Sequence, residues 1–277
     1  MPELPEVEIT RRHLEQAMTG RAFAEVTVTH PRTARHNSSP EEVESRLRGR
    51  RVVDVGRKGK FLVLSLHDGQ SMVAHLGMSG RFAVSAPDEE KPAHTHFVAR
   101  LDDGSEVRFI DPRTFGFVAA LDEEEIAHSG VARLGPDAWG ERPDANALAE
   151  RLRGRTAPIK ALLLDQGPIS GLGNIYADEA LHRAAIHPLT PAGALGLDRL
   201  GALSDAIVQV LDSAIEEGGT TLGDLAYLLP DGRAGENLSS LRVYGREGLP
   251  CPACGTPVER VVIRARSSSF CPRCQRT

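Results

Sequence analysis

The stretch "GPDAWGERPDA", residues 135–145, divides the sequence into two parts with different hydrophobic periodicity. Its prolines and glycines interrupt helix and strand patterns, so it predicts a connection between two structural regions. Short runs in which apolar and polar residues alternate precede it, and longer runs with helical spacing follow it. The sequence therefore predicts an α+β protein with a strand-rich first region and a helix-rich second region.

The first region begins with a predicted helix over residues 3–18, in which Val7, Ile9, Leu14 and Met18 take the inward positions. Strand-like runs then recur from "AFAEVTVTH" to "FGFVAAL", and turn signals such as "HDGQ" separate them. This pattern is typical of an antiparallel assembly, either a sandwich or a barrel.

Composition and charge limit the classes of function. The 277 residues include 26% charged ones, and neither a membrane-spanning run nor a signal peptide is visible, so we expect a cytoplasmic protein with no membrane partner. The net charge is −5, yet residues 31–60 and 242–277 each carry an excess of five positive charges. These two regions either bind phosphates or form solvated faces, and charge alone does not choose between them.

The segment "CPACGTPVERVVIRARSSSFCPRC", residues 251–274, contains all four cysteines of the chain, Cys251, Cys254, Cys271 and Cys274. Two C-x2-C pairs let four thiolates converge on one tetrahedral ion, so we expect one structural Zn²⁺ and no other cofactor. Four thiolates leave no open coordination position for catalysis. The module either presents Arg264 and Arg266 to phosphates or only closes the end of the chain.

Two further stretches contain candidate functional residues. In "GLGNIYADEAL", residues 171–181, Asn174 begins a predicted helix and either helps to bind an anion or acts as a plain N-cap. In "MPELPEVEIT", residues 1–10, removal of Met1 would leave Pro2 with a free secondary amine beside Glu3. An α-amino group with a pKa of about 7.7–8.0 is a nucleophile near neutral pH, although Pro and Glu are also ordinary helix-start residues.

Taken together, "MPELPEVE", "HLGMSG", "DPRTFG", "GLGNIYADEAL" and "RSSSFCPRCQ" resemble, in order, the formamidopyrimidine-DNA glycosylase family across essentially the whole chain. The resemblance implies a β-sandwich with an N-terminal helix over residues 1–135 and a linker over 136–145. It further implies a helix–two-turns–helix domain over 146–240 and a zinc finger over 241–277. The implied partner is double-stranded DNA with a damaged base, and a monomer is expected.

The resemblance also implies a mechanism. The target nucleotide is flipped out of the stack, and the nitrogen of Pro2 attacks C1′ of the sugar while Glu3 assists ring opening. The resulting cationic iminium permits strand cleavage by β,δ-elimination, in which Lys60 and Arg266 transfer protons. Glu6 is similar to a second acid of the family, and the alternative for Glu6 is a surface glutamate.

Other residues resemble the family's DNA contacts: His94, Arg113, Arg155, Asn174, Met78 and Phe115. Arg113 would bond the orphaned base, and Met78 and Phe115 would fill the space that the flipped nucleotide leaves. For Met78 and Phe115 the alternative is core packing. Arg57 and Lys58 are expected to be solvated.

Three departures from the family pattern bear on specificity. Thr114 replaces an arginine, Ser269 replaces an aromatic residue, and the segment 220–240 differs from the usual lesion-recognition loop. The purine-acting branch, which removes 8-oxoguanine and formamidopyrimidines, is favoured because Leu4 stands where endonuclease VIII has glycine. The alternatives are an endonuclease VIII-like enzyme for oxidised pyrimidines and a non-catalytic zinc-containing binder of abasic or bent DNA.

Overall fold

The computed structural model of the chain describes residues 2–223 and 227–276. The hypothesis that Met1 is removed and part of the divergent loop therefore fall outside the described residues. Contacts divide the chain into two units, one of Met1–Ala132 with Glu217–Leu238 and the other of Arg133–Glu216 with Ser239–Thr277. The domain boundaries at 135, 145 and 240 stay predictions, and residues 217–238 pack with the N-terminal unit.

The described residues of the first unit form two four-stranded antiparallel sheets and three α-helices. The first sheet has the order β1-β6-β7-β5, formed by Phe23–Val28, Thr95–Leu101, Glu106–Ile110 and Arg81–Ser85. The second has the order β2-β3-β4-β8, formed by Val52–Lys58, Phe61–Leu66, Ser71–His75 and Phe117–Leu121. The helices are α1 (Leu4–Met18), α2 (Pro40–Leu47) and α3 (Glu123–His128), with a 3₁₀ turn at Pro31–Ala34.

One hydrophobic core joins these elements, because side chains from both sheets and from α1 belong to the same buried cluster. The inward positions predicted for the first helix are correct, since Val7, Ile9, Leu14 and Met18 are all buried. The two sheets therefore form a sandwich, and the barrel alternative does not hold.

The second unit contains four helices and one hairpin among its described residues. The helices are α4 (Ala145–Leu152), α5 (Ile159–Leu164), α6 (Asn174–Arg183) and α7 (Leu197–Glu216), with a short 3₁₀ turn at Ala192–Ala194. A second 3₁₀ turn, Asn237–Ser240, includes the point where the chain passes from the first unit to the second. Strands β9 (Glu259–Ile263) and β10 (Arg266–Phe270) form the hairpin. The predicted α+β class, with sheets first and helices second, is confirmed. No helix in the described ranges is long and apolar enough to cross a membrane.

A buried arginine fixes the loop that follows β5. The side chain of Arg108 on β7 is 1% exposed, and its Nε donates to Glu106 at 2.9 Å. Its Nη atoms donate to the carbonyl oxygens of Ala86, Glu89 and Glu90 at 2.9–3.2 Å. Burying a charge is costly unless it is paired and hydrogen-bonded, and Arg108 meets both conditions.

We expect Arg108→Leu to lower the free energy of unfolding by about 3–5 kcal/mol, because the substitution removes the main partner of the buried Glu106. Arg100→Leu is the control, since Arg100 is 46% exposed and lies 3.9 Å from the same carboxylate. That variant should lose less than about 1 kcal/mol. Urea denaturation of both variants measures the difference, and equal losses would contradict this interpretation.

Candidate functional site

The start of α1 holds Pro2 and two buried carboxylates. Pro2 is buried and precedes Glu3, the N-cap residue of the helix, which has extended backbone angles. The backbone N–H of Glu3 donates to Oε2 of Glu6 at 2.7 Å, which fixes the entry of the chain into the helix. Pro2, Glu3 and Glu6 therefore lie within one turn of each other.

Glu6 also holds the segment 217–238. Its Oε1 accepts a hydrogen bond from the backbone N–H of Thr220 at 2.8 Å. Gly219, with φ +80°, permits this approach, because a Cβ there would lie 2.9 Å from the same oxygen. The side chain of Glu6 is 2% exposed, so the alternative of a surface glutamate is wrong.

The ring of Tyr227 lies beside this contact. It packs with Ile9 of α1 and Leu229 in a small apolar cluster. Burial raises the pKa of Tyr227, and the carboxylates of Glu6 and Asp231 add to the shift, so the phenol stays protonated at neutral pH. The described part of the segment 217–238 is therefore held against α1 by both a hydrogen bond and apolar packing.

Lys60 lies in the tight turn between β2 and β3 and is 8% exposed. Arg57, just before the turn, pairs with Glu8 of α1 at 3.0 Å between Nε and Oε2. The expectation that Arg57 is solvated is wrong, since its side chain is 4% exposed. Lys58 is half-buried. The turn that carries Lys60 is thus attached to the helix that begins after Pro2.

His75 is a residue near Lys60 that was not predicted from the sequence. It ends β4, pairs with Phe61 across the sheet, and its Nδ1 accepts from the N–H of Gly77 at 3.0 Å. Burial lowers the pKa of His75 to about 4, and the positive charges of Lys60 and Arg35 contribute. The ring is therefore neutral at pH 7. Its place in "HLGMSG" is the one signal that the sequence offers.

Asp111 joins the two turns that carry Met78, Arg113 and Phe115. Its Oδ1 accepts from Ser79 Oγ at 2.7 Å, and its Oδ2 accepts from the N–H of Gly116 at 2.7 Å. The turns touch at Gly77, where a Cβ would meet the backbone of residue 116 at 2.4 Å. The structure thus brings the predicted triad of Met78, Arg113 and Phe115 to neighbouring turns.

The side chains of this triad differ in exposure. Phe115 is 43% exposed, Met78 is half-buried, and the guanidinium of Arg113 lies 5.3 Å from the centre of the Phe115 ring. His94 is exposed and lies nearby, since its carbonyl accepts from the N–H of Asp111 at 3.0 Å. A phenylalanine that packs in a core is ordinarily buried, whereas Phe115 is 43% exposed. The core-packing alternative therefore does not fit Phe115.

In the second unit, Asn174 meets the hairpin that carries Arg266. The N-cap of α6 is Gly173, so the plain N-cap alternative for Asn174 is wrong. The Nδ2 of Asn174 donates to Ser267 Oγ at 3.5 Å, and its buried Oδ1 has no hydrogen-bond partner among the described residues. A buried polar atom of this kind is ordinarily paired, so Oδ1 of Asn174 has the capacity to accept a hydrogen bond from a water molecule or a ligand.

Asp178, one turn further along α6, anchors the hairpin. It accepts from Ser268 Oγ at 2.8 Å and from the N–H of Ser269 at 3.0 Å. It also pairs with Lys160, whose side chain is fully buried and whose Nζ lies 3.3 Å from the carbonyl oxygen of Asn174. Lys160 and Asp178 could not be identified from the sequence, because two charges eighteen residues apart give no local signal of pairing.

The hairpin ends in a strained two-residue turn. Arg264 and Ala265 have φ values of 47° and 62°, in the left-handed region that favours glycine or asparagine. Strain of this kind costs on the order of 1–3 kcal/mol per residue and concentrates at functional sites. Arg264 and Arg266 are exposed on either side of Ala265. Arg155, also exposed, follows α4, and its backbone is bonded to Leu152 and Gly193.

The four cysteines form one cluster, as predicted, with all Sγ atoms within 4.8 Å of one another. A tetrahedral zinc site with Zn–S bonds of about 2.3 Å separates its sulfur atoms by about 3.8 Å. The Sγ–Sγ distances of 3.4 Å for Cys254–Cys271 and 4.0 Å for Cys251–Cys274 fit that geometry. The four thiolates of this cluster would hold the ion.

His182 on α6 lies against the cluster, with Nε2 3.4 Å from Sγ of Cys251. Burial lowers the pKa of His182 to about 4, with contributions from Arg242 and Arg183. The neighbouring Glu179 accepts the backbone N–H groups of Arg242, Val243 and Tyr244 at 2.8–2.9 Å. Helix α6 therefore contacts the hairpin, the cysteine cluster and the chain that leads into it.

Three family models match the chain in order. The Formamidopyrimidine-DNA glycosylase N-terminal domain matches residues 1–118, and the Formamidopyrimidine-DNA glycosylase H2TH domain matches residues 134–225. A zinc finger found in FPG and IleRS matches residues 248–277. A curated relative, the formamidopyrimidine-DNA glycosylase of Corynebacterium efficiens, is 43% identical over 284 residues, which cover 100% of this chain and 99% of the relative.

Solved structures agree with this result. The MutM (Fpg) protein of Thermus thermophilus is 41% identical, with a TM-score of 0.88 over 99% of this chain and 98% of its own. A Lactococcus lactis Fpg mutant in complex with a Fapy-dG-containing DNA is 30% identical, with a TM-score of 0.90 and full coverage of both chains. The wild-type Lactococcus lactis enzyme, in complex with an oxidised-pyrimidine-containing DNA, is 31% identical, with a TM-score of 0.89 and full coverage of both chains. The chain therefore belongs to the formamidopyrimidine-DNA glycosylase family and is a base-excision-repair glycosylase.

Proposed function

We propose that the enzyme is a bifunctional DNA glycosylase and abasic-site lyase that uses the nitrogen of Pro2 as its nucleophile. The observation that carries the proposal is the position of Pro2 directly before the buried Glu3, with Glu6 fixing the Glu3 backbone. A rigid first turn keeps a nucleophile in one orientation, which lowers the entropic cost of reaching the transition state. The nitrogen becomes available once Met1 is removed.

The reaction begins on a nucleotide that has been flipped out of the duplex. The nitrogen of Pro2 forms a bond to C1′, the bond from C1′ to the base breaks, and the base leaves with the proton that the nitrogen gives up. Glu3 then supplies a proton to O4′ as the bond from C1′ to O4′ breaks, which opens the sugar ring and lets the nitrogen lone pair form the C=N bond. The product is an iminium between Pro2 and C1′, which cannot become neutral by losing an N–H proton and therefore stays an electron sink.

Strand cleavage follows from this iminium. Loss of a proton from C2′ breaks the bond from C3′ to oxygen and releases the 3′ phosphate, and a second elimination releases the 5′ phosphate. Lys60, held in its turn near α1, is proposed to act in proton transfer of the first step. Arg266, exposed at the tip of the hairpin beside Asn174, is proposed to grip a phosphate and to donate the proton of the second step.

The proposed partner is double-stranded DNA that contains a damaged base, bound by a monomer in the bacterial cytoplasm. His94 and Arg155 are proposed to contact its backbone, and Arg113 to bond the orphaned base. The relatives from Lactococcus lactis bind Fapy-dG and oxidised-pyrimidine DNA. We therefore propose formamidopyrimidines and 8-oxoguanine as main substrates and oxidised pyrimidines as a second class. Comparing the rates at which the enzyme releases 8-oxoguanine and thymine glycol tests this substrate preference, and faster release of 8-oxoguanine is expected.

Borohydride trapping tests the nucleophile. Incubation of the enzyme with an abasic-site duplex and borohydride is expected to give a covalent protein–DNA complex, because the reductant fixes the iminium. Pro2→Gly should reduce trapping, since the imine of a primary amine can lose its N–H proton and become a weaker electrophile. Pro5→Ala, which changes another proline of the same turn, should still trap. Wild-type protein that binds the duplex without any adduct would support the non-catalytic binder instead.

Replacing Phe115 tests insertion into the duplex. Phe115→Ala should slow base excision by about 10-fold or more, because a lost base–aromatic stack costs about 1–3 kcal/mol. Thermal unfolding should be unchanged, whereas removal of a core phenylalanine costs about 3–5 kcal/mol. Val53→Ala removes an apolar residue of similar exposure, 57%, and should leave excision intact. A large loss of stability with normal excision would restore the core-packing alternative.

Loss of one cysteine tests the metal centre. Cys271→Ser should abolish stoichiometric zinc binding and DNA binding, because a structural zinc site contributes its binding energy to the folding of the module. The N-terminal unit should keep its own thermal transition. Zinc content by chelator assay and calorimetry measure both effects. Retention of one zinc ion per chain and wild-type DNA affinity in this variant would be inconsistent with the proposed site.

A further inference from the structure

His182 is a buried polar residue to which the proposed mechanism gives no task. It lies in the last turn of α6, is 5% exposed, and directs Nε2 at Sγ of Cys251 from 3.4 Å. We propose that His182 is a positioning residue of the metal centre that donates its Nε2–H to the Cys251 thiolate. This inference rests on the zinc site proposed above and goes beyond it, because it names a residue outside the four ligands.

The direction of this hydrogen bond follows from the chemistry of the ligand. A cysteine bound to zinc is a thiolate, which has no proton and can only accept. The hydrogen must therefore be on Nε2 of His182. The other ring nitrogen, Nδ1, is buried and has no hydrogen-bond partner among the described residues. The contact with sulfur is thus the polar interaction that accounts for the orientation of the ring.

Donation of a hydrogen bond to the thiolate lowers the free-energy cost of burying the negative charge of the metal site. Four thiolates around one Zn²⁺ carry a net charge of about −2, and a buried charge is costly without compensation. An N–H donor spreads part of that charge and holds the sulfur in place. Partners of this kind outside the ligand set commonly change metal affinity by about 10–100-fold when they are removed.

The helical register connects this contact to the proposed phosphate grip. Asn174, Asp178 and His182 are spaced four residues apart, so they share one face of α6. They contact, in order, Ser267, the pair of Ser268 and Ser269, and Cys251. This face of α6 therefore contacts both β10, the strand that begins at Arg266, and Cys251, one of the four proposed metal ligands. His182 makes the contact with Cys251.

Two substitutions in the zinc-loaded enzyme test whether His182 donates a hydrogen bond to Cys251. His182→Leu keeps a similar volume but has no N–H, whereas His182→Gln keeps an amide N–H near the position of Nε2. Zinc release to a chromophoric chelator should be about 10–100-fold faster in the leucine variant and close to wild type in the glutamine variant. In the cobalt-substituted protein, the sulfur-to-metal charge-transfer band should move to lower energy only in the leucine variant, because a thiolate without its donor is richer in electrons.

His187 provides a matched control in the same unit. Its ring packs against Phe270, beside Cys271, with 4.6 Å between ring centres, and its Nδ1 accepts from the N–H of Leu189. His187→Leu removes an imidazole that packs against the zinc module and leaves the contact to Cys251 unchanged. The cobalt band and the rate of zinc release should both stay at the wild-type values.

The outcomes separate the two proposals. Wild-type protein that binds neither zinc nor cobalt would overturn the zinc site and this inference together. Stoichiometric metal in all proteins, with identical bands and release rates for wild type and His182→Leu, would overturn the role of His182 alone. The same holds if the glutamine variant behaves like the leucine variant, or if His187→Leu shifts the band equally.

Discussion

Two backbone N–H groups converge on the carboxylate of Glu6, and both belong to segments that must be held in place. One is that of Glu3, directly after Pro2, and the other is that of Thr220, in the segment that returns to the N-terminal unit. A buried carboxylate is stable only when its oxygens are hydrogen-bonded, so the acid and the two segments require one another. The conformation of the first turn of α1 and the position of the described part of segment 217–238 therefore depend on the same carboxylate.

Buried acids also hold chain segments in place in the second unit. Asp178 holds the hairpin through Ser268 and Ser269, and Glu179 holds the three N–H groups of residues 242–244. Both acids lie on α6, whose first residue is Asn174. The exposed side chain of Arg266 therefore extends from a well-anchored hairpin, which suits the proposed role of Arg266 in gripping a phosphate.

Local patterns predicted much of this structure. Alternation predicted the strands, helical spacing predicted α1 and its buried positions, and cysteine spacing predicted the cluster. Helix α2 was not predicted, although Ser39 before Pro40 is a helix-start signal, because the helix has only eight residues and is rich in charged side chains. The burial of Glu6 and Arg57 could not be predicted, since their partners lie 214 and 49 residues away along the chain. A histidine in a helix likewise gives no sign that its partner is a cysteine 69 residues away, as His182 and Cys251 illustrate.

The central claim is that the nitrogen of Pro2 becomes bonded to C1′ of the damaged nucleotide. The most direct measurement is mass spectrometry of the borohydride-trapped complex after digestion with trypsin and nuclease. The account predicts a sugar adduct on the peptide of residues 2–11, with fragment ions that place it on the Pro2 nitrogen. An adduct on Lys60 or another lysine, or an N-terminal peptide that keeps Met1 and carries no adduct, would contradict it.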